Sequence, residues 1–263
     1  MDSLIINRYN DNDIVINRDS YVVISDEIQA KDIKVNILNC KATVVIIGQC
    51  LVKEFNFVNS DVILIEIIND NKIKELTINN TSSVVEYNVI DLSNTNINYD
   101  MISNSVSDGS DTCVNIASVC YKEKNKNYVI KTLNKKRNTV HEVNCFGIVK
   151  DNSILNCDVS SFIEKGAKKS IVRQNSNILL FDEKSLGKSN PILLIEENDV
   201  KASHGSSIGK VDDETMFYLC SRGLTKSEAT NLICLGKIEH LIKKIEDQSI
   251  REKLINDFKE RMG

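Results

Sequence analysis

Val35-Asn36-Ile37-Leu38, Thr43-Val44-Val45-Ile46-Ile47, Phe55-Asn56-Phe57-Val58, Val62-Ile63-Leu64-Ile65, Leu76-Thr77-Ile78 and Val84-Val85-Glu86-Tyr87-Asn88-Val89 succeed one another between residues 35 and 89. Each run is short, rich in residues that suit a pleated surface, and bounded by Asn, Asp or Ser. Ile14-Val15-Ile16 and Tyr21-Val22-Val23-Ile24 open the series, and it continues to about residue 200. No sustained apolar stripe at helical spacing occurs before about residue 212. The pattern is that of an all-β array.

Evenly spaced short strands satisfy a sandwich, a barrel or a solenoid. Two features favour a parallel β-helix. Turns such as Asn79-Asn80-Thr81-Ser82-Ser83 and Asn94-Thr95-Asn96 suit stacked corners, and Asp108-Gly109 is nearly alone as a hairpin signal. No clean internal repeat is visible, so such a solenoid is irregular.

After Gly223 the pattern changes. Thr225-Lys226-Ser227-Glu228 reads as a capping box opening a helix with Ala229, Leu232 and Ile233, which Gly236 ends or kinks. Ile238, Leu241, Ile242 and Ile245 form a second apolar stripe. Ser249-Ile250-Arg251-Glu252 reads as another capping box, before Leu254, Ile255, Phe258 and Met262. The expected division is a β core over 1–211 and a helical region over 212–263.

The chain has 263 residues and a net charge of −4, which argues against a nucleic-acid surface. Met1-Asp2-Ser3-Leu4-Ile5-Ile6-Asn7 lacks the basic start and long apolar run of a signal peptide, and Val62 to Ile68 is too short to span a bilayer. A cytoplasmic protein is expected, with its eight cysteines mostly reduced. None forms a C-x-x-C pair, so no zinc-like spacing appears. Most suit a core, because free cysteine buries readily.

Residues 197–223 carry the remaining signal: Glu-Asn-Asp-Val-Lys-Ala-Ser-His-Gly-Ser-Ser-Ile-Gly-Lys-Val-Asp-Asp-Glu-Thr-Met-Phe-Tyr-Leu-Cys-Ser-Arg-Gly. His204 lies among Ala202, Ser203, Gly205, Ser206 and Ser207, whose small size permits close approach. Neutral imidazole is a competent iron ligand. This stretch, with Gly166-Ala167-Lys168-Lys169-Ser170, Asn190-Pro191-Ile192-Leu193-Leu194-Ile195-Glu196 and Ala229, resembles the SufB/SufD family of iron–sulfur cluster assembly scaffolds.

The resemblance implies a right-handed parallel β-helix with a C-terminal α-helical region. It further implies a SUF-type scaffold that works with a SufC-like ABC ATPase and builds or transfers a transient iron–sulfur cluster at a dimer interface. His204 is the implied cofactor- and metal-binding residue, and the helical region the implied ATPase dock, with Ile238, Leu241 and Ile245 touching the partner or bracing the contact.

SufB-type members of the resembled family place a cysteine where this chain has Ser176, and a glutamate where it has Gly205. The Ser-His-Gly sequence is the SufD-like form. Serine is a poor iron ligand beside thiolate, so Cys157 and Cys145 are the nearest substitute thiols in sequence. The chain looks like a minimal member, working as a homodimer or as part of a SufB/SufD-type heterodimer, with flavin involvement open.

No phosphate loop, dinucleotide fingerprint or nucleophile elbow occurs, so no enzyme activity is expected and ATP hydrolysis falls to a partner. Two alternatives stand beside the scaffold. One is a β-helical structural or interaction protein. The other is a β-helical carbohydrate-active enzyme, which needs paired acids on an exposed face; Asp61, Glu66, Asp91 and Asp108 are the available acids.

Overall fold

The computed structural model describes residues 2–6, 13–25, 32–48, 52–69 and 73–262. Cys50 lies outside them. The strands, in chain order, are β1 (Asp2–Ile6), β2 (Asp13–Ile16), β3 (Ser20–Ile24), β4 (Ile33–Leu38), β5 (Lys41–Ile47) and β6 (Val52–Val58). There follow β7 (Asp61–Ile68), β8 (Ile73–Thr81), β9 (Val84–Asp91), β10 (Ile97–Ser105), β11 (Asp111–Cys120) and β12 (Asn125–Asn134). The last are β13 (Val140–Val149), β14 (Ile154–Ile163), β15 (Ile171–Leu180), β16 (Leu186–Ile195) and β17 (Lys201–Gly209). Helices α1 (Asp213–Ser221), α2 (Lys226–Ile242) and α3 (Gln248–Met262) complete the chain.

Odd-numbered strands build a nine-stranded sheet and even-numbered strands an eight-stranded one, each in chain order. Neighbouring strands are parallel throughout, as in β5–β7 and β12–β14. One strand in each sheet per coil is a parallel β-helix. The coil is not constant: Lys41 pairs with Asp61, Val84 with Asp111, and Val140 with Ile171. Strands grow from 5 residues in β3 to 10 in β11. The widening coil hides the repeat from the sequence.

Corners stack as the turn composition suggests. Asn39, Asn59, Ser82, Gly109, Asn138 and Lys169 all have positive φ, a region that Asn and Gly enter most easily. The next residue in each of these coils is small, and it bonds the corner of an adjacent coil. Ser60 N–H donates to Ser83 Oγ at 3.0 Å, Ser82 N–H to Ser110 Oγ at 3.2 Å, and Thr139 Oγ1 lies 2.8 Å from Ser170 Oγ. Asparagine ladders add a second set of links. Asn56, Asn79 and Asn104 each donate to the preceding member of the column begun by Asn36.

The two sheets differ in their outer faces. The even-numbered sheet alternates, as in β10, because its outer face meets water. The odd-numbered sheet is buried on both faces where the helices cover it, so β7 reads as the nearly continuous run Val62-Ile63-Leu64-Ile65-Glu66-Ile67-Ile68. Its cover is α2 and α3: Ile238, Leu241, Ile245, Leu254 and Phe258 form one cluster with Val45, Ile65, Ile90, Val119 and Ile148. An ion pair between Lys244 and Glu86 pins the end of α2 to β9.

Two local expectations change. Gly236 neither ends nor breaks α2, which continues to Ile242. An interior glycine costs about 1 kcal/mol against alanine, and burial of Ile238, Leu241 and Ile242 outweighs that. At α3, the cap is Asp247, whose Oδ1 accepts from the N–H groups of Ser249 and Ile250, while Glu252 takes a bond from Gln248. The Thr225–Glu228 capping box forms as read.

Candidate functional site

β17 is the last strand of its sheet and pairs in register with β15 from Ile171–Lys201 to Leu179–Gly209. His204 stands opposite Gln174, which stands opposite Val143 and then Val114. Gln174, Val143 and Val114 are all buried, so His204 occupies an inward-facing column. No further coil covers it among the described residues, and His204 is exposed. Its footing is polar and fixed: Gln174 Nε2 donates to Ser161 Oγ at 2.7 Å and to the Ile192 carbonyl at 3.0 Å. The arrangement holds one imidazole at the open mouth of the solenoid.

Ser176 sits in the neighbouring inward column, between Cys145 one coil before and Ser206 one coil after. Cys145 faces Cys157 across the interior, and both are buried. The hydrogen bond to Cys157, reinforced by burial, pushes the Cys145 thiol well above its ordinary range. Two strand spacings, roughly 10 Å, separate the Cys145 level from β17. The structure therefore brings Cys145 and Cys157 to each other and leaves both away from His204. Burial also raises Cys113 to about 12, Cys120 to about 11 and Cys234 to about 12, so these thiols are poor thiolate sources. Among the described residues no three His, Cys, Asp or Glu side chains gather as a metal-binding group.

Gly205 does not need to be glycine. A Cβ there would meet only Asn175 Oδ1, at 3.7 Å, so the site admits a side chain. It ends a second amide ladder, in which Asn175 donates to Asn144, Asn144 to Asn115, and Asn115 to Asn88.

The family of the SUF system FeS cluster assembly, SufBD core domain, matches residues 14–237. The chain belongs to the SufB/SufD family. Among curated relatives, Bacillus subtilis SufD is 36% identical over 110 residues, which is 42% of this chain and 25% of that protein. Escherichia coli SufD is 29% identical over 100 residues, 38% of this chain and 24% of that protein. Bacillus subtilis SufB is 33% identical over 81 residues, 31% of this chain and 17% of that protein. The matched stretch thus spans a quarter or less of each of these relatives.

The rest of this SufB/SufD member holds features that the sequence did not disclose. Glu66 is buried with Lys74, and its Oε2 accepts from Tyr87 and Tyr99. Asp91 is fully buried with Lys126, 2.8 Å away, and accepts from Tyr128. These carboxylates, available on paper to a carbohydrate-cleaving solenoid, are sealed inside and neutralised. The signal was the charge interrupting an apolar run, as in Val62 to Ile68, but its partner Lys74 lies on the following strand, β8, in the other sheet. The helices divide likewise. Ile238, Leu241 and Ile245 face the sheet, whereas α1 buries nothing and leaves Phe217 76% and Tyr218 56% exposed, with Leu232 of α2 at 53%.

Proposed function

We propose that this chain is a cytoplasmic scaffold subunit, without catalytic activity of its own, on which an iron–sulfur cluster is built or passed on at an interface containing His204. The observation that carries the reading is the exposed imidazole at the open last coil, inside a SufBD core domain. One chain contributes a single imidazole to that mouth, so the remaining ligands come from a second chain, a copy of this one or a SufB-type partner. The end of the solenoid suits such pairing: it is an open strand edge, flanked by exposed Ile192, Leu194, Ile195 and Ile208. A cluster is cargo in this scheme, held and released.

The force for release comes from an ABC-type ATPase of the SufC kind. Its dock is α1 with the start of α2, where Phe217, Tyr218 and Leu232 present apolar surface. Ile238, Leu241 and Ile245 brace that dock from behind, since their burial against the sheet couples any pull on α2 to the β-helix. Deleting the helices would uncover the apolar outer face of the sheet, so point substitutions are the sounder probe.

Anaerobic reconstitution with iron and sulfide, followed by visible absorbance, tests the site. His204→Ala is expected to retain less than about half the iron of the wild type, the loss of one of very few ligands; equal retention overturns the assignment. Phe217→Ser with Leu232→Ser is expected to abolish capture of the ATPase while leaving cluster loading intact. Light scattering that finds a stable monomer under all loading conditions would exclude a homodimer.

A further inference from the structure

A cleft of about 530 Å³ opens between α2 and the outer face of the last coils of the odd-numbered sheet. It lies on the opposite face of that sheet from His204. Its size is that of a small-molecule site. Ala117, Phe146 and Leu241 give it an apolar lining, and Lys237 stands on its helical wall.

The sheet wall is electrically directional. Every amide of the Asn88–Asn115–Asn144–Asn175 ladder donates toward the preceding coil. Such a chain polarises itself, strengthening the acceptor at its free end. That end is Asn175 Oδ1, and the next rung is Gly205, which has no side chain to donate to it. Asn177, on the same strand and also lining the cleft, carries a buried Oδ1 without a partner. One wall thus offers the exposed carbonyl acceptor of Asn175, with the unpaired Asn177 amide oxygen beneath the surface beside it; the other offers a cation, and the floor is apolar.

We propose that this cleft binds a small amphiphilic anion: an apolar ring system with N–H donors on one edge and an acidic group on the other. The N–H edge completes the missing rung at Gly205, the ring lies on Phe146 and Leu241, and the acidic group pairs with Lys237. Binding here needs neither a cluster nor a second chain.

Anilinonaphthalene sulfonate, which combines an N–H, an apolar ring and a sulfonate, is the probe. Fluorescence titration of the whole chain is expected to show one saturable site. Lys237→Glu is expected to weaken it about tenfold, the effect of losing one charge-assisted contact worth about 1.4 kcal/mol. Gly205→Asn, which supplies the missing donor and fills the space, is expected to weaken it similarly while the fold stays intact by circular dichroism. Phe217→Ser with Leu232→Ser removes the exposed patch on the helices and is expected to leave the titration unchanged. The proposal is overturned if Lys237→Glu and Gly205→Asn titrate like the wild type, or if the patch variant abolishes the signal. Saturation that tracks self-association of the chain overturns it too, since the cleft would then be filled by a second copy.

Discussion

His141 and His204 project inward from the same sheet, two strands apart, and their surroundings give them opposite chemistry. His141 lies on β13 with a full coil on either side. Its Nδ1–H donates to Asn134 Oδ1 at 3.0 Å and its Nε2 accepts from the Ser103 hydroxyl at 2.9 Å. Both nitrogens are engaged, and burial lowers its pKa to about 3. His204 lies on β17 with a coil on one side only, and water reaches it. The same contrast runs through the whole end. Leu155, Cys157, Val159, Ser161 and Ile163 of β14 are buried, whereas their register partners Gly187, Ser189, Pro191, Leu193 and Ile195 of β16 are partly or largely exposed. Alternation is unchanged; only the covering coil is missing. Inward residues of the middle are mostly apolar or paired, and one at the end is free to meet a ligand.

The sharpest test of the middle is to break a buried pair. Asp91→Ala leaves Lys126, fully buried, without its counter-charge. Removing one partner of such a pair costs about 3–5 kcal/mol, which should appear as a large drop in the urea midpoint. A small drop would mean that water enters the middle coils, and the contrast with the end would fall.

His141 gives a pH signature of the same sealing. Its neutral form is held in the fold, with a pKa below the ordinary value of 6.5. The unfolded chain therefore binds the extra proton first, so this contribution to stability is complete above 6.5 and is lost as pH falls toward about 3. At pH 5 the loss is about 2 kcal/mol. Urea melts should show His141→Gln losing less stability than the wild type between pH 7 and pH 5. Identical pH slopes would place His141 in contact with water.

Strand positions and the C-terminal helices were legible because they depend on local signals: β-branched runs, Asn-Ser turns, and the Thr225–Glu228 box. The parallel β-helix was favoured for a local reason as well, the scarcity of hairpin turns. What escaped was non-local. Whether Val62 to Ile68 faces a core on both sides depends on α2 and α3, more than 150 residues later in the chain. Lys126 reads as a strand-edge charge until Asp91 is set beside it, 35 residues away. For the candidate site, the motif marked His204, yet no pattern in sequence could say that Cys145 and Cys157 face each other rather than the histidine. The ladder Asn88, Asn115, Asn144, Asn175 was hidden by its changing interval, which follows the widening coil.

The open end can be probed by adding what it lacks. Gly205→Asn should extend that ladder, because space is available and the backbone there imposes no positive φ. One more amide hydrogen bond and a stiffer unfolded chain together suggest a gain of about 0.5–1 kcal/mol, read as a higher urea midpoint. A loss of stability would show that the ladder does not accept a further rung at Gly205.

The smallest effect is the most telling. His204→Ala should change stability by no more than about 0.5 kcal/mol, the range of exposed positions away from special features. The imidazole fills no cavity, and the Gln174 amide beneath it keeps its bonds to Ser161 and Ile192 when the ring is removed. His141→Ala, by contrast, would strand Ser103 and Asn134 inside the core and should cost about 1–3 kcal/mol. Paired melts of the two variants compare two histidines on one sheet, two strands apart, with chemistry held constant. If His204→Ala is as damaging as His141→Ala, His204 is a structural residue. If it is silent in the melt yet lowers iron retention, the imidazole is held out for a ligand, which is what separates an assembly site from a core position.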